Sequence, residues 1–160
     1  MNYIKLAPSK FGEMFALVDD YDYEYLYKYN WRADKKRNTF YAVIDDVDDN
    51  GKRITVFMHR VIMKTRKGMQ VDHKDGNGLN NQRINLRNVT HAENQRNKGK
   101  LRNNTSGYKG VSWSKQNKKW QVQIKLNGKG IRVGQFSSKE DAYEAYCAAC
   151  IKFHGEFAKF

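Results

Sequence analysis

Apolar residues in this 160-residue chain come in short runs broken by charge, glycine or asparagine, which limits it to short strands and short helices. The runs Met14–Val18, Phe40–Ile44 and Ile54–Met58 have the length and the β-branched or aromatic content of strands. None approaches the roughly 18 apolar residues that a membrane span requires, and the N-terminus lacks a charged-then-apolar signal pattern. A soluble, cytoplasmic protein with no membrane partner is the expectation. With 39% hydrophobic residues the chain can bury one modest core or two small ones, so an α+β fold of two to three small modules is predicted.

Local signals order these pieces. Tyrosines at 21, 23, 25, 27 and 29 alternate as in a strand, yet Tyr21, Tyr25 and Tyr29 also share one helical face behind an Asp cluster, and a helix is the preferred reading. Asp48-Asp49-Asn50-Gly51 marks a turn between strands. His59–Met63 reads as a short helix, Met69–Asp72 as a strand entering a loop, and Asp75-Gly76-Asn77-Gly78 as a tight turn with positive φ. Thr90 with Glu93 forms a capping box that starts the next helix. Further on, Trp120, Val122 and Ile124 alternate with polar residues, a hairpin follows at 127–130, and Ser138 with Asp141 caps a helix striped by Ala142, Ala145, Tyr146, Ala149 and Phe153 and ended by Gly155. The expected organisation is a mixed region over 1–58, a core over 59–98, a basic linker over 99–106, and a three-stranded antiparallel sheet packed on one helix over 107–160.

The net charge of +13 is unevenly distributed. Residues 1–58 carry 9 Lys/Arg against 10 Asp/Glu, residues 59–105 carry 11 against 3, and residues 106–160 carry 10 against 4. A basic excess from residue 59 onward suits a polyanion, and nucleic acid is the foremost one because each phosphate neutralised releases a counterion. Cys147 and Cys150 form a Cys-x-x-Cys inside an alanine-rich helical stretch, without the second pair of ligands a structural zinc needs. They read as core residues, and no structural zinc is expected.

Within the basic stretch, Asp72-His73, then Asn85, then Asn94 look like a phosphodiester-cleaving set. Hydrolysis needs a base to take a proton from water and a hard cation to neutralise developing charge. Imidazole beside carboxylate, with an amide oxygen returning from the following helix, supplies both. His73 suits the task because its ordinary pKa, about 6.5, leaves neutral imidazole near neutral pH.

The segment His59-Arg60, Val71-Asp72-His73-Lys74-Asp75-Gly76-Asn77, Asn85-Leu86-Arg87, Val89-Thr90 and Glu93-Asn94 resembles an HNH endonuclease of the phage homing type, with a ββα-metal core. Residues 106–160, with Ser106-Gly107-Tyr108-Lys109-Gly110-Val111, Lys119-Trp120, Gly134-Gln135-Phe136 and His154-Gly155-Glu156-Phe157-Ala158, resemble an AP2 (Apetala) DNA-binding domain. The resemblance implies His73 as general base, Asp72 and Asn94 as ligands of Mg²⁺ with Mn²⁺ as a substitute, and Asn85 as the residue that holds the loop. Asn94 departs from the broader family, where histidine is frequent. It further implies a site-specific DNA endonuclease acting on double-stranded DNA, with no small-molecule substrate, as a monomer or homodimer, in the host cytoplasm if phage-encoded. Expected DNA contacts are His59, Arg60, Arg87, Arg96 and Lys98 around the core, and Lys109, Ser112, Ser114, Gln121, Gln123, Lys125 and Arg132 on the C-terminal sheet. His91, at a helix start, and His154, at a helix end, stay outside this set. Two alternatives remain open at this level: a DNA-binding regulator without cleavage, and an RNA-binding factor.

Overall fold

The computed structural model of the chain describes residues 1–97, 103–126, 128–158 and 160, so half of the expected linker, 99–102, and Lys98 lie outside the described residues. Strands are short and antiparallel, helices are interspersed, and the class is α+β. Two compact units divide the chain, Met1–Thr90 and His91–Phe160. No helix among the described residues is long and apolar enough to cross a membrane.

In the first unit, β1 (Asn2–Lys5) pairs with β2 (Phe15–Val18), and α1 (Asp20–Leu26) follows directly. Asp20 and Asp22 in its first turn favour the helix over the strand that the tyrosine alternation also permits. The expected tyrosine face is not the one α1 buries. Tyr21 and Tyr29 are exposed, and Asp22 with Leu26, one turn apart, points inward. A meander of β3 (Arg32–Lys35), β4 (Phe40–Val47) and β5 (Arg53–Phe57) comes next. The third apolar run ends its strand at Phe57, because Met58 already opens α2 (Met58–Met63). The unit closes with β6 (Gln70–His73) paired to β7 (Leu86–Val89).

One hydrophobic cluster serves this whole unit, drawing Ile4, Leu6, Ala16, Val18, Leu26, Trp31 and Ala42 together with Met58, Ile62 and Leu86. That cluster takes residues from both sides of residue 58. Trp31 is its largest member and is satisfied by donating its indole N–H to the Leu26 carbonyl at 2.8 Å.

In the second unit, α3 (His91–Asn97) precedes β8 (Val111–Ser114), β9 (Lys119–Leu126) and β10 (Lys129–Phe136), ordered β10-β9-β8, and α4 (Lys139–His154) packs on the sheet. Val111, Val122, Ile124, Ala142, Tyr146, Ala149 and Cys150 form its core, with Cys147 at the margin. Ser138 caps α4 by accepting from the N–H groups of Glu140 and Asp141. Gly110 is obligatory here, since it takes φ +73° and a Cβ would lie 2.1 Å from the Tyr146 ring.

Candidate active site

Asp72 and His73 end β6, and the register sets Asp72 opposite Arg87 and His73 opposite Leu86. Arg87 donates from both Nε and Nη2 to Asp72 Oδ2, each at 2.8 Å. Both ends of that ion pair are largely buried, so the carboxylate is held in one orientation.

The loop between β6 and β7 is tied internally by Asn85. Its backbone carbonyl accepts from Lys74 N–H at 2.9 Å, and its amide group donates to Asp75 Oδ1 at 3.0 Å and the Asn80 carbonyl at 2.8 Å. Its Oδ1 accepts from Asp75 N–H at 3.1 Å. Burial pushes the Asp75 carboxyl upward, but the Asn77 N–H and the amides of Asn80 and Asn85 outweigh it, leaving the group below the usual carboxylate range.

The N-terminal region ties the same loop externally. Leu17 donates its N–H to the Leu79 carbonyl and accepts from Asn81 N–H, both at 2.8 Å. Gly78 packs so closely that a Cβ would lie 2.4 Å from the Phe40 carbonyl oxygen, and its N–H donates to Thr39 Oγ1 at 2.8 Å. In the expected tight turn, Gly76 takes φ +80°, whereas Gly78 is needed for space rather than for φ. Arg83 grips α1: its Nε and Nη2 donate to the two Asp22 carboxylate oxygens at 2.8 and 2.7 Å, and its N–H donates to Asp19 at 2.8 Å. That fork explains how Asp22 is buried at 0% exposure.

His73 itself is 5% exposed and its Nε2 lies 3.3 Å from Asn81 Oδ1. The Asn81 amide is oriented by donating its NH₂ to the Leu79 carbonyl at 3.3 Å, which turns the oxygen toward the ring. An amide oxygen only accepts, so this contact selects the tautomer with its proton on Nε2 and leaves Nδ1 as the basic nitrogen. Around the ring stand His59, edge-on at 5.1 Å, and Tyr41 at 5.6 Å. Burial lowers the His73 pKa, opposed in part by the Asn81 hydrogen bond and by Asp75 and Asp72. His59 is pushed down to about 3 by burial first, then by His73 and Arg60, and its Nδ1 is buried without a hydrogen-bond partner. Tyr41 is pushed up, chiefly by burial and then by Asp72.

Three residues expected at DNA have internal partners. His59 is 8% exposed, its ring enclosed by Phe57, Tyr41 and His73. Arg60 donates to the carbonyls of Met69 at 3.0 Å and Thr65 at 3.4 Å, joining α2 to the approach to β6, while Arg87 holds Asp72. Asn94 and Arg96 stand on α3, which belongs to the second unit. His91 on the same helix lies 3.2 Å from Gln95. Sequence reasoning missed Asn81, Asp22 and Arg83 altogether. For Asn81 no local signal was available, since nine asparagines lie between residues 77 and 104.

On the second unit's sheet, register pairs Ser112 with Gln121 and Gln123 with Arg132, all on the face opposite α4. Ser112, Gln123, Lys125 and Arg132 are exposed there, Ser114 and Gln121 half-buried, and Lys109 lies half-buried just before β8. His154 lies inward, its Nε2 2.9 Å from the Lys125 carbonyl.

Comparison with known proteins agrees with this geometry at the level of the domain. Residues 56–96 match the family model of the HNH endonuclease. The chain is also 37% identical over 94 residues to protein 3.8 of Escherichia phage T7, an alignment covering 59% of this chain and 77% of that protein. No solved structure matches the chain.

Proposed function

Because the chain belongs to the same family as phage T7 protein 3.8 and carries an HNH endonuclease domain, we propose that it is a metal-dependent, site-directed DNA endonuclease of the homing type, acting in the cytoplasm of an infected cell. The observation that carries this reading is the end of β6, where a carboxylate fixed by Arg87 adjoins an imidazole whose Nε2 meets the Asn81 amide oxygen.

His73 Nδ1 takes a proton from the attacking water as the new oxygen–phosphorus bond forms. The bond to the 3′ oxygen breaks and that oxygen takes a proton from solvent water, leaving 5′-phosphate and 3′-hydroxyl ends. Asn81 holds the Nε2 proton throughout, and Asn85 and Arg83 keep the loop from swinging the ring away. Asp72 would hold the cation, with Asn94 the second ligand that the family resemblance implies. The donors in that reading are one carboxylate and one amide, completed by water and phosphate. Such hard oxygen donors fit Mg²⁺, with Mn²⁺ as a substitute, better than zinc. When bound, the ion supplies charge neutralisation at the phosphate and the departing oxygen.

The C-terminal sheet, read as AP2-like, positions the duplex through Ser112, Ser114, Gln121, Gln123, Lys125 and Arg132, with Lys109, Arg96 and Lys98 adding charge. Glutamine and arginine on such a face can read adenine and guanine edges in the major groove. One site per chain cuts one strand, so a monomer nicks. The test is supercoiled plasmid carrying candidate targets, incubated with Mg²⁺ or with chelator. Relaxation with Mg²⁺ alone is expected, reduced about 10²- to 10⁴-fold in His73→Ala; equal cleavage by that variant and the wild type ends the assignment.

A further inference from the structure

The charge of residues 1–58 nearly cancels in the sequence, but the sheet of β3, β4 and β5 separates it. β4 has a different hairpin at each end. The β4–β5 end carries Asp45, Asp46, Asp48 and Asp49, and Arg32 is consumed there by a two-point contact with Asp45 at 3.0 and 2.7 Å. At the β3–β4 end, Lys35, Lys36, Arg37 and Asn38 are all exposed, with Asp34 the nearby acid, 2.7 Å from Lys36. Lys10 adds another exposed cation beside them. It stacks at 5.4 Å over Phe11, whose ring meets Phe40 at 5.1 Å, and Lys35 lies 4.6 Å over the same Phe11 ring. These aromatic stems hold two ammonium groups at one place on the surface.

The basic end is also the end next to the active site. Thr39, closing the turn, accepts from Gly78 in the loop after His73, and Tyr41, two residues further, lies against the His73 ring. Lys36 N–H donates to the Thr39 carbonyl at 2.9 Å, so Arg37 and Asn38 form the turn itself and the tip projects a short way beyond Tyr41.

We propose that the β3–β4 tip, Lys35–Arg37 with Lys10, is a contact for the phosphate backbone of duplex DNA, gripping it beside the phosphate presented to His73. The acidic hairpin at the opposite end of β4 repels the same backbone, so the sheet sets the direction in which the duplex leaves the site. The proposal rests on the endonuclease reading but not on cleavage itself.

The test is binding of a fluorescein-labelled 30-base-pair duplex of arbitrary sequence, in chelator, across a salt series. Lys35→Gln/Lys36→Gln/Arg37→Gln should bind at least tenfold more weakly and lower the slope of log affinity against log salt by about 2 to 3, near 0.9 for each phosphate that is no longer neutralised. Arg37→Gln alone, which disturbs neither the aromatic stack nor the Asp34 ion pair, should lower it by about 1. Lys52→Gln/Arg53→Gln, at the acidic end, should bind within twofold of wild type. Unchanged slopes in both tip variants overturn the proposal, as does an equal loss in the acidic-end control. So does a loss confined to single-stranded RNA of the same length with duplex binding intact. Because chelator prevents cleavage, a result here stands apart from the plasmid test of His73.

Discussion

The first unit turns its polar side chains inward, whereas the second turns them out. Asp22, His59, Asp72, His73, Asn81 and Asn85 are all buried in the first, which has to satisfy carboxylates and imidazoles inside the fold. The second buries Ser106 and His154 but builds its core from Val111, Val122, Ile124, Ala142, Tyr146 and Cys150, leaving amides and cations on the outer sheet face. A buried polar group is costly unless fully hydrogen-bonded, and a network once satisfied fixes its members in one geometry. Chemistry on a phosphate needs that fixity. A binding face needs the reverse, polar groups left open for a partner.

The largest expected effect falls on the inward pairing. Arg83→Met leaves the Asp22 carboxylate, wholly buried, without the fork that compensates it, and should cost the first unit about 3–5 kcal/mol. Asp22→Ala should cost less, because the Arg83 side chain is 44% exposed and can turn to water. Native-state hydrogen exchange reads the two units separately: amides of β1 and β2 should lose protection in Arg83→Met while those of β9 keep theirs. Equal loss in both units, or none, breaks the comparison.

Acid should expose the same asymmetry. His59 binds a proton with a pKa near 6.5 when unfolded and about 3 when folded, so the unfolded state takes up the proton first as pH falls. Its contribution is complete above pH 6.5 and is lost progressively from there down to about pH 3, the loss amounting to roughly 3 kcal/mol by pH 4.5. His59→Phe, which keeps a ring among Phe57, Tyr41 and His73, should flatten the dependence of stability on pH across that window. Urea unfolding at pH 7 and pH 4.5 measures it, and parallel losses in variant and wild type would remove His59 as the cause.

What the sequence made legible divides along the same line. Elements specified by neighbours were readable: the Ser138 cap bonds to residues two and three positions on, and the alternation of Trp120, Val122 and Ile124 needs only the strand period. At the candidate site, Asp72-His73 was readable as a chemical pair because its members adjoin. The Asp22–Arg83 fork spans 61 positions, and nothing local distinguishes that arginine from the basic residues around it. The buried face of α1 was obscured for the same reason, since an aspartate points inward only where a distant arginine meets it. The polarity of β4 was hidden by summation, because counting charge over 1–58 merges two hairpins that the fold sets at opposite ends of one strand.

The smallest effect belongs to the outward face, where adjacent residues should behave oppositely. Val122 is 0% exposed and packs beneath α4, so Val122→Ala should cost the second unit about 2 kcal/mol through the apolar burial removed and the cavity left behind. Gln123, the next residue, is exposed and lies across Gly130, where a Cβ would come within 2.3 Å of its Nε2. Gln123→Ala should therefore change stability by less than about 0.5 kcal/mol, yet weaken duplex binding if the open face serves a partner. Thermal melts paired with the fluorescent duplex assay separate the two roles. A Gln123→Ala variant that melts as early as Val122→Ala would mean that this face is structural after all, and the contrast between an inward-satisfied unit and an outward-open one would fail at its second term.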